Sequence, residues 1–252
     1  MLSSNRLTSR GAMAIMNKVS YSTNHLDISN NPEIRIDSYK FLSKYILQDY
    51  RKKIAHLNLE GNLMGDYPTD IICNILAIDC SIKYLNLSKN NISERGAASL
   101  GELIYTNSSI TSLFISWNDF KGEGAKHIAN GLKENSHIKV LDMSFNPIGS
   151  MHLQKHSCIK DMSDAFKINK TLMHLDLSYV GFSREDFTSL NQGLKYNHTI
   201  LGIHLIGNQG GIDSLGFCSG DLDPPSSSQL ISKINPNLKA GEVDSKDLDL
   251  QK

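Results

Sequence analysis

A short phrase, hydrophobic-x-x-Leu-x-Leu-x-x-Asn or a near variant, returns seven times along this chain, and its starts at Ile54, Ile82, Ile110 and Ile138 stand 28 residues apart. A fixed period of that length describes units that cannot bury their apolar faces alone and must stack on one another. The copies run Leu57-Asn-Leu59 to Asn62, Leu85-Asn-Leu87 to Asn90, Leu113-Phe-Ile115 to Asn118 and Leu141-Asp-Met143 to Asn146. Leu175-Asp-Leu177 to Val180 and Ile203-His-Leu205 to Asn208 follow, and Leu26-Asp-Ile28 to Asn31 lies upstream.

Each phrase carries two periodicities. Leu57-x-Leu59 alternates with period two, as a strand does when one face is buried. The stretch after each Asn, such as Gly124-Ala125-Lys-His-Ile128-Ala129-Asn-Gly-Leu132, sets apolar residues on one side of a helix. Stacked, these units give a parallel inner sheet and an outer row of helices. The recurring Asn, with donors and an acceptor on one side chain, suits a buried ladder that satisfies the backbone of the turns.

These residues resemble the leucine-rich-repeat pattern over roughly residues 5 to 217. The unit length, and a second half with Gly-Ala and Leu-Lys-x-Asn, resemble the ribonuclease-inhibitor-like class. The resemblance implies an α/β fold, a curved leucine-rich-repeat solenoid, that binds a protein partner and is not an enzyme. The expected organisation is a solenoid over residues 1–218, its first repeat incomplete and its last a capping loop, and a disordered tail over 219–252.

Composition limits the partners. The 26 basic and 26 acidic residues cancel, so no bulk attraction to nucleic acid or membrane is expected. No apolar run is long enough to span a bilayer. Cys73, Cys80, Cys158 and Cys218 lack paired-motif spacing and read as reduced thiols of a cytoplasmic protein, with a cytoskeletal or ciliary setting reached by elimination. The Asn-x-Ser/Thr triplets at Asn86, Asn91, Asn107, Asn169 and Asn197 mostly recur at repeat positions and read as structural rather than as glycosylation sites.

Both ends depart from the period. Asn5-Arg-Leu7-Thr-Ser-Arg-Gly11-Ala12 matches Asn90 to Ala97 position for position, so the N-terminus is read as repeat rather than as a transit peptide, with the preceding strand absent. After Asn208, Gly210-Gly211 and then Leu215 and Phe217 suggest a loop folding over the last core layer. The tail, with Pro224-Pro225 and three serines, lacks the apolar density to fold.

Two irregularities adjoin. Ile138 to Leu172 spans 34 residues, placing an insertion of about six at Gly149 to Cys158, and Val180 stands where the next Asn belongs. A weakened or re-routed turn is expected there, since Val cannot join a polar ladder. His152, His156 and Cys158 lie in the insertion, but no carboxylate or second cysteine completes a metal set, so it reads as a surface loop with no metal and no cofactor.

The free face of the inner sheet is the expected working surface. Alternation turns outward His25, Asp27 and Ser29; His56, Asn58 and Glu60; Tyr84, Asn86 and Ser88; Ser112, Phe114 and Ser116; Val140, Asp142 and Ser144; His174, Asp176 and Ser178; and Gly202, His204 and Ile206. None is Lys or Arg and four are acidic, which favours a basic partner surface and disfavours phosphate backbones. Asp and Ser are equally common filler at such places. Trp117, Phe145 and Tyr179 share the slot before the Asn in successive copies, so their rings should form a row, with Tyr84 and Phe114 nearby. Such a row is either a partner anchor or packing at the strand ends. The candidate partner-binding residues are therefore Tyr84, Phe114, Trp117, Asp142, Phe145, Asp176 and Tyr179, with no catalytic residue.

No phosphate loop, nucleophile elbow or HExxH occurs. The repeat length is also similar to that of Ran GTPase-activating proteins, which implies as the alternative a GTPase-activating protein for a small GTPase, with Arg6, Arg35 and Arg95 in loops after strands. The acidic tract typical of that family is missing from the tail.

Overall fold

The computed structural model describes residues 2–44, 53–78, 81–149, 155–212 and 218–219. Helix α1 (Ser9–Met16) is followed by alternating strands and helices: β1 (His25–Asp27), α2 (Ile36–Leu42), β2 (His56–Asn58), α3 (Asp66–Ile78), β3 (Tyr84–Asn86) and α4 (Glu94–Thr106). Next come β4 (Ser112–Phe114), α5 (Gly122–Glu134), β5 (Val140–Asp142), α6 (Lys155–Ile168), β6 (His174–Asp176), α7 (Arg184–Leu194) and β7 (Gly202–His204). The seven strands form one parallel sheet in sequence order, with Leu26, Leu57, Leu85, Leu113, Leu141, Leu175 and Ile203 in register. The expected α/β solenoid is the observed fold. Helices are about 10 Å wide and strands only about 4.8 Å apart, so the stack curves with the sheet inside.

The core is a continuous row of leucine layers between sheet and helices, with Leu57, Leu85, Leu113 and Leu175 fully buried beside Leu59, Leu87, Ile115 and Leu177. The turns hang on the expected asparagine ladder. Asn31 N–H donates to Asn62 Oδ1, Asn62 N–H to Asn90 Oδ1, Asn90 N–H to Asn118 Oδ1 and Asn118 N–H to Asn146 Oδ1, at 2.7–3.1 Å. Asn5 and Leu7 N–H groups donate to Asn31 Oδ1, so the N-terminal residues keep the repeat register.

A second ladder closes the outer side. Asn107, Asn135, Asn169 and Asn197 follow the helices; their Nδ2 groups donate to Leu76, Ile104, Leu132 and Phe166 carbonyls, and their Oδ1 atoms accept from the N–H groups two and three residues on. Three of these are in the Asn-x-Ser/Thr triplets, which explains their recurrence: the amide nitrogens a glycan would need are already hydrogen-bonded inside the array.

At Val180 the turn is re-routed. Val180 is fully buried and offers no side-chain acceptor. Ile148 N–H, whose counterparts Met64 and Ile92 donate to Asn90 and Asn118 Oδ1, turns back to Asn146 O across Pro147 at 2.8 Å, while Gly149 N–H donates to Val180 O as Gly65 N–H does to Asn90 O. The adjoining insertion is not all loop: residues 155–158 open α6, and Cys158 is buried. A polar-looking start concealed this helix, whose apolar face begins at Cys158 and Ile159. His152 and residues 150–154 lie outside the described residues, as do Cys80, Leu215, Phe217 and the tail from 220. Among the described residues no helix resumes after β7. Instead β8 (Gly211–Ile212) pairs antiparallel with β9 (Cys218–Ser219), and Cys218 is buried.

Glycines set how closely the helices approach. A Cβ on Gly131 would strike Gly101 O of the neighbouring helix and lie 3.1 Å from Ile104 Cβ. We expect Gly131→Val to destabilise the chain by about 3 kcal/mol, since backbone cannot yield as a flexible side chain does. A thermal melt should show a midpoint lowered by roughly 6–12 °C; an unchanged midpoint would refute the close α4–α5 contact.

Candidate functional site

Each inner strand is only three residues long, so it turns two side chains inward, one on either side of its Leu. Along one row these are His25, His56, Tyr84, Ser112, Val140, His174 and Gly202; along the other, Asp27, Asn58, Asn86, Phe114, Asp142, Asp176 and His204. The third residue of five of the seven expected triplets behaves differently, Glu60 and Ile206 remaining partly open. Ser29, Ser88, Ser116, Ser144 and Ser178 are buried, because the chain leaves the strand and turns inward before reaching them. This corrects the expected outward set, in which Asp27, Asn86 and Gly202 are buried as well.

The second row ends the strands. Asp27, Asp142 and Asp176 each accept through Oδ1 from the N–H two residues on, in Ser29, Ser144 and Ser178, at 2.8–3.0 Å. Ser29 and Ser144 hydroxyls donate to the same oxygens at 2.7 and 2.6 Å. Asn58 and Asn86 make the same backbone bond with an amide oxygen, to Glu60 and Ser88 N–H at 3.1 and 2.9 Å. An amide oxygen therefore serves this place as well as a carboxylate does, and Phe114 and His204 fill it in β4 and β7 with no side-chain oxygen at all. Asp142 and Asp176 sit opposite one another on adjacent strands. Burial pushes the Asp142 carboxyl above its usual 3.8, bonds from Ser144 and Ser116 pull it down, and Asp176 adds to the rise. Glu60, the fourth acidic residue, is bound by Lys89 Nζ at 2.7 Å and accepts from Asn86 Nδ2 at 3.1 Å.

Rings form two separate stacks. Across the inner face, His25 meets His56 at 5.5 Å between centroids, His56 meets Tyr84 at 5.6 Å, and Tyr84 meets Phe114 at 4.9 Å. Burial raises the Tyr84 phenol above its usual value; a bond with Asn86 opposes this, and Glu60, Asp27 and Asp142 add to it, so the phenol lies in a negative surround. Tyr84 and Phe114 thus belong with His25 and His56, which the sequence reading turned outward without naming them as site residues. The second stack is the expected rim row. Trp117 and Phe145 lie 4.1 Å apart at 10°, and Phe145 and Tyr179 4.6 Å apart at 13°. Trp117 is 52% and Tyr179 48% exposed.

The rim slot is left-handed in every repeat. Asn30, Gly61, Lys89, Trp117, Phe145, Tyr179 and Gly207 all have φ between 54° and 78°. Bulky L-residues enter that region at about 1–2 kcal/mol each, while Asn and Gly enter readily. Gly207 also gives the row its end: a Cβ there would collide with the Tyr179 ring, whose outer face lies on bare backbone.

Among the described residues, no group of three or more His, Cys, Asp or Glu side chains is placed to hold a metal ion, and no helix is long and apolar enough to cross a membrane. Cys73 and Cys158 are buried, and burial holds both thiols above their usual range, Cys158 at about 11. Arg6 has a left-handed backbone, Arg35 precedes α2 and Arg95 lies in the first turn of α4, all on the side where strands lead into helices.

The leucine-rich-repeat family model matches residues 79–101, 106–129 and 134–150. No curated protein matches the chain. Among solved structures, the chain is similar to actin-binding site 2 of leiomodin-1, with 14% identity over 73% of this chain and 86% of that one and a TM-score of 0.47. It is also similar to the tropomodulin C-terminal domain of Caenorhabditis elegans, at 16% identity, 76% and 94% coverage and a TM-score of 0.46. An internalin of Listeria monocytogenes is similar at 13% identity, 82% and 64% coverage and a TM-score of 0.43.

Proposed function

From the premise that this chain is a leucine-rich-repeat protein, we propose that it is a non-enzymatic scaffold that binds a protein partner with a basic surface through the inner face of its sheet and the adjoining aromatic rim. The observation that carries this reading is the pair Asp142 and Asp176. Asn58 and Asn86 end their strands with the same hydrogen bond, so the fold gains nothing from carboxylates at the equivalent places, and two like charges side by side oppose it. A cationic partner relieves that repulsion and is attracted by it. The inner rows carry no Lys or Arg, and Lys89 beside them is engaged by Glu60.

The test is the double variant Asp142→Asn, Asp176→Asn. It should fold and be more stable than the natural chain by about 0.5–1 kcal/mol at pH 7, because like charges opposite one another cost about that much. The pH dependence has a definite sign. The folded-state pKa of Asp142 lies above the unfolded value, so its protonation contributes stability that is fully present below pH 3.8 and is lost as pH rises through the folded-state value. The variant's advantage should therefore open between acid and neutral pH and close below about pH 4. Affinity purification with both chains, read by mass spectrometry, should show basic proteins retained by the natural chain and absent from the variant. Identical retention would overturn the charge reading. Catalytic amounts of the chain accelerating GTP hydrolysis by a small GTPase would overturn the non-enzymatic one.

A further inference from the structure

Resting on that reading, we infer that the inner face takes an α-helix of the partner, laid across the strands, with an apolar stripe over His25, His56, Tyr84 and Phe114 and Lys or Arg over Asp142 and Asp176. The spacing selects the occupant. Successive rings are 5.5, 5.6 and 4.9 Å apart, and a helix returns a side chain to one face about every 5.4 Å. One turn therefore meets one strand throughout the stack. An extended segment repeats on one face about every 6.7 Å, overshoots each step by more than about 1 Å, and is out of phase by most of a strand spacing at the fourth.

The chemistry changes along the same line. Phe114 sits in register with Asp142, and Asp142 with Asp176, so the row passes from rings to carboxylates without a gap. A helix following it needs apolar or aromatic residues at i, i+4, i+7 and i+11, then basic residues one and two turns beyond. His25 and His56 are exposed and Tyr84 and Phe114 half-buried, so the rings offer their edges to such side chains while their mutual stacking holds them in place.

The experiment is selection of a displayed library of random 24-residue peptides on the full chain. Binders are counted as site-dependent when they weaken at least tenfold on either of two variants, His56→Ser with Tyr84→Ser, or Asp142→Asn with Asp176→Asn. Serine is the residue that β4 carries beside Tyr84, and asparagine the one β2 and β3 carry in the other row, so both variants should fold. Site-dependent peptides should show apolar residues at intervals of three and four, Lys or Arg toward one end, and helical circular dichroism on binding. Site-dependent basic peptides with alternating apolar residues would overturn the helix and leave the basic-partner reading standing. Absence of site-dependent peptides would overturn both. Concentration-dependent association that the His56→Ser, Tyr84→Ser variant abolishes, or displacement of selected peptides by a synthetic peptide of residues 220–252, would replace the partner helix with a second copy or with the chain's own segment.

Discussion

Asn118→Ala should destabilise the chain by about 3–5 kcal/mol, a third or more of the stability of an ordinary domain. The side chain joins its own repeat to the one before it. Its Oδ1 accepts from Asn90 and Ile92 N–H at 2.9 and 3.0 Å, and its Nδ2 donates to Leu87, Ile115 and Ser116 carbonyls at 3.0–3.2 Å. Truncation leaves two buried N–H groups without that acceptor, at about 1–3 kcal/mol each, together with a void the size of an amide. Val180 makes the prediction sharper, because the chain itself tolerates an apolar residue at this slot. It does so at one backbone group: Ile148 N–H turns back to Asn146 O across Pro147. That turn passes through Pro147, whose counterpart in the turn that Asn118 serves is Asn91. Asn118→Val should therefore be as damaging as Asn118→Ala, although valine is native at 180. Denaturant titration followed by circular dichroism, with Trp117 fluorescence as a probe beside the mutated position, measures both. A valine variant within 1 kcal/mol of the natural chain would show that the ladder is replaceable by filling space.

What could be read from the residues was whatever repeats, because repetition turns a weak local preference into a pattern. The Leu-x-Leu alternation specifies strands, the Gly-Ala segments helices, and the Trp117, Phe145 and Tyr179 spacing a row of rings. Geometry that depends on where a strand stops was not legible. Period-two alternation runs through Ser88 and Ser144 as smoothly as through Asn86 and Asp142, yet the strands end before these serines and fold them inside. The left-handed rim slot left a trace only in Gly61, Gly207 and Asn30, three residues that tolerate positive φ, and the aromatics between them hid it. His25 and His56 became site residues only when register set them beside Tyr84. The separation of Tyr84 and Phe114 from the rim row follows from the same register, since they turn inward from strands while Trp117 sits beyond one.

Trp117→Asn together with Tyr179→Asn should remove partner binding, at least thirtyfold for each ring if each is an anchor worth about 2 kcal/mol, and should leave the melting midpoint within roughly 3 °C. The two contributions to stability nearly cancel. Separating the stacked rings forfeits about 0.5–1.5 kcal/mol per pair, and replacing a bulky residue at φ near 54° by asparagine returns about 1–2 kcal/mol of backbone strain per position. Asn30 already occupies this slot in the first repeat, so the turn accepts the substitution. The proposed partner role has the same support: four of the seven repeats fill the slot without an aromatic, and the three that do not are consecutive and stacked, with Trp117 and Tyr179 about half exposed. Titration calorimetry with a partner identified through the aspartate variant, alongside thermal melts by circular dichroism, separates the outcomes. A midpoint lowered by 10 °C or more with binding intact would assign the rings to strand-end packing. Tyr179→Phe sets the boundary condition: it keeps the stack and the surface over Gly207 and removes only the hydroxyl, so it should retain binding if the row acts through its apolar edges.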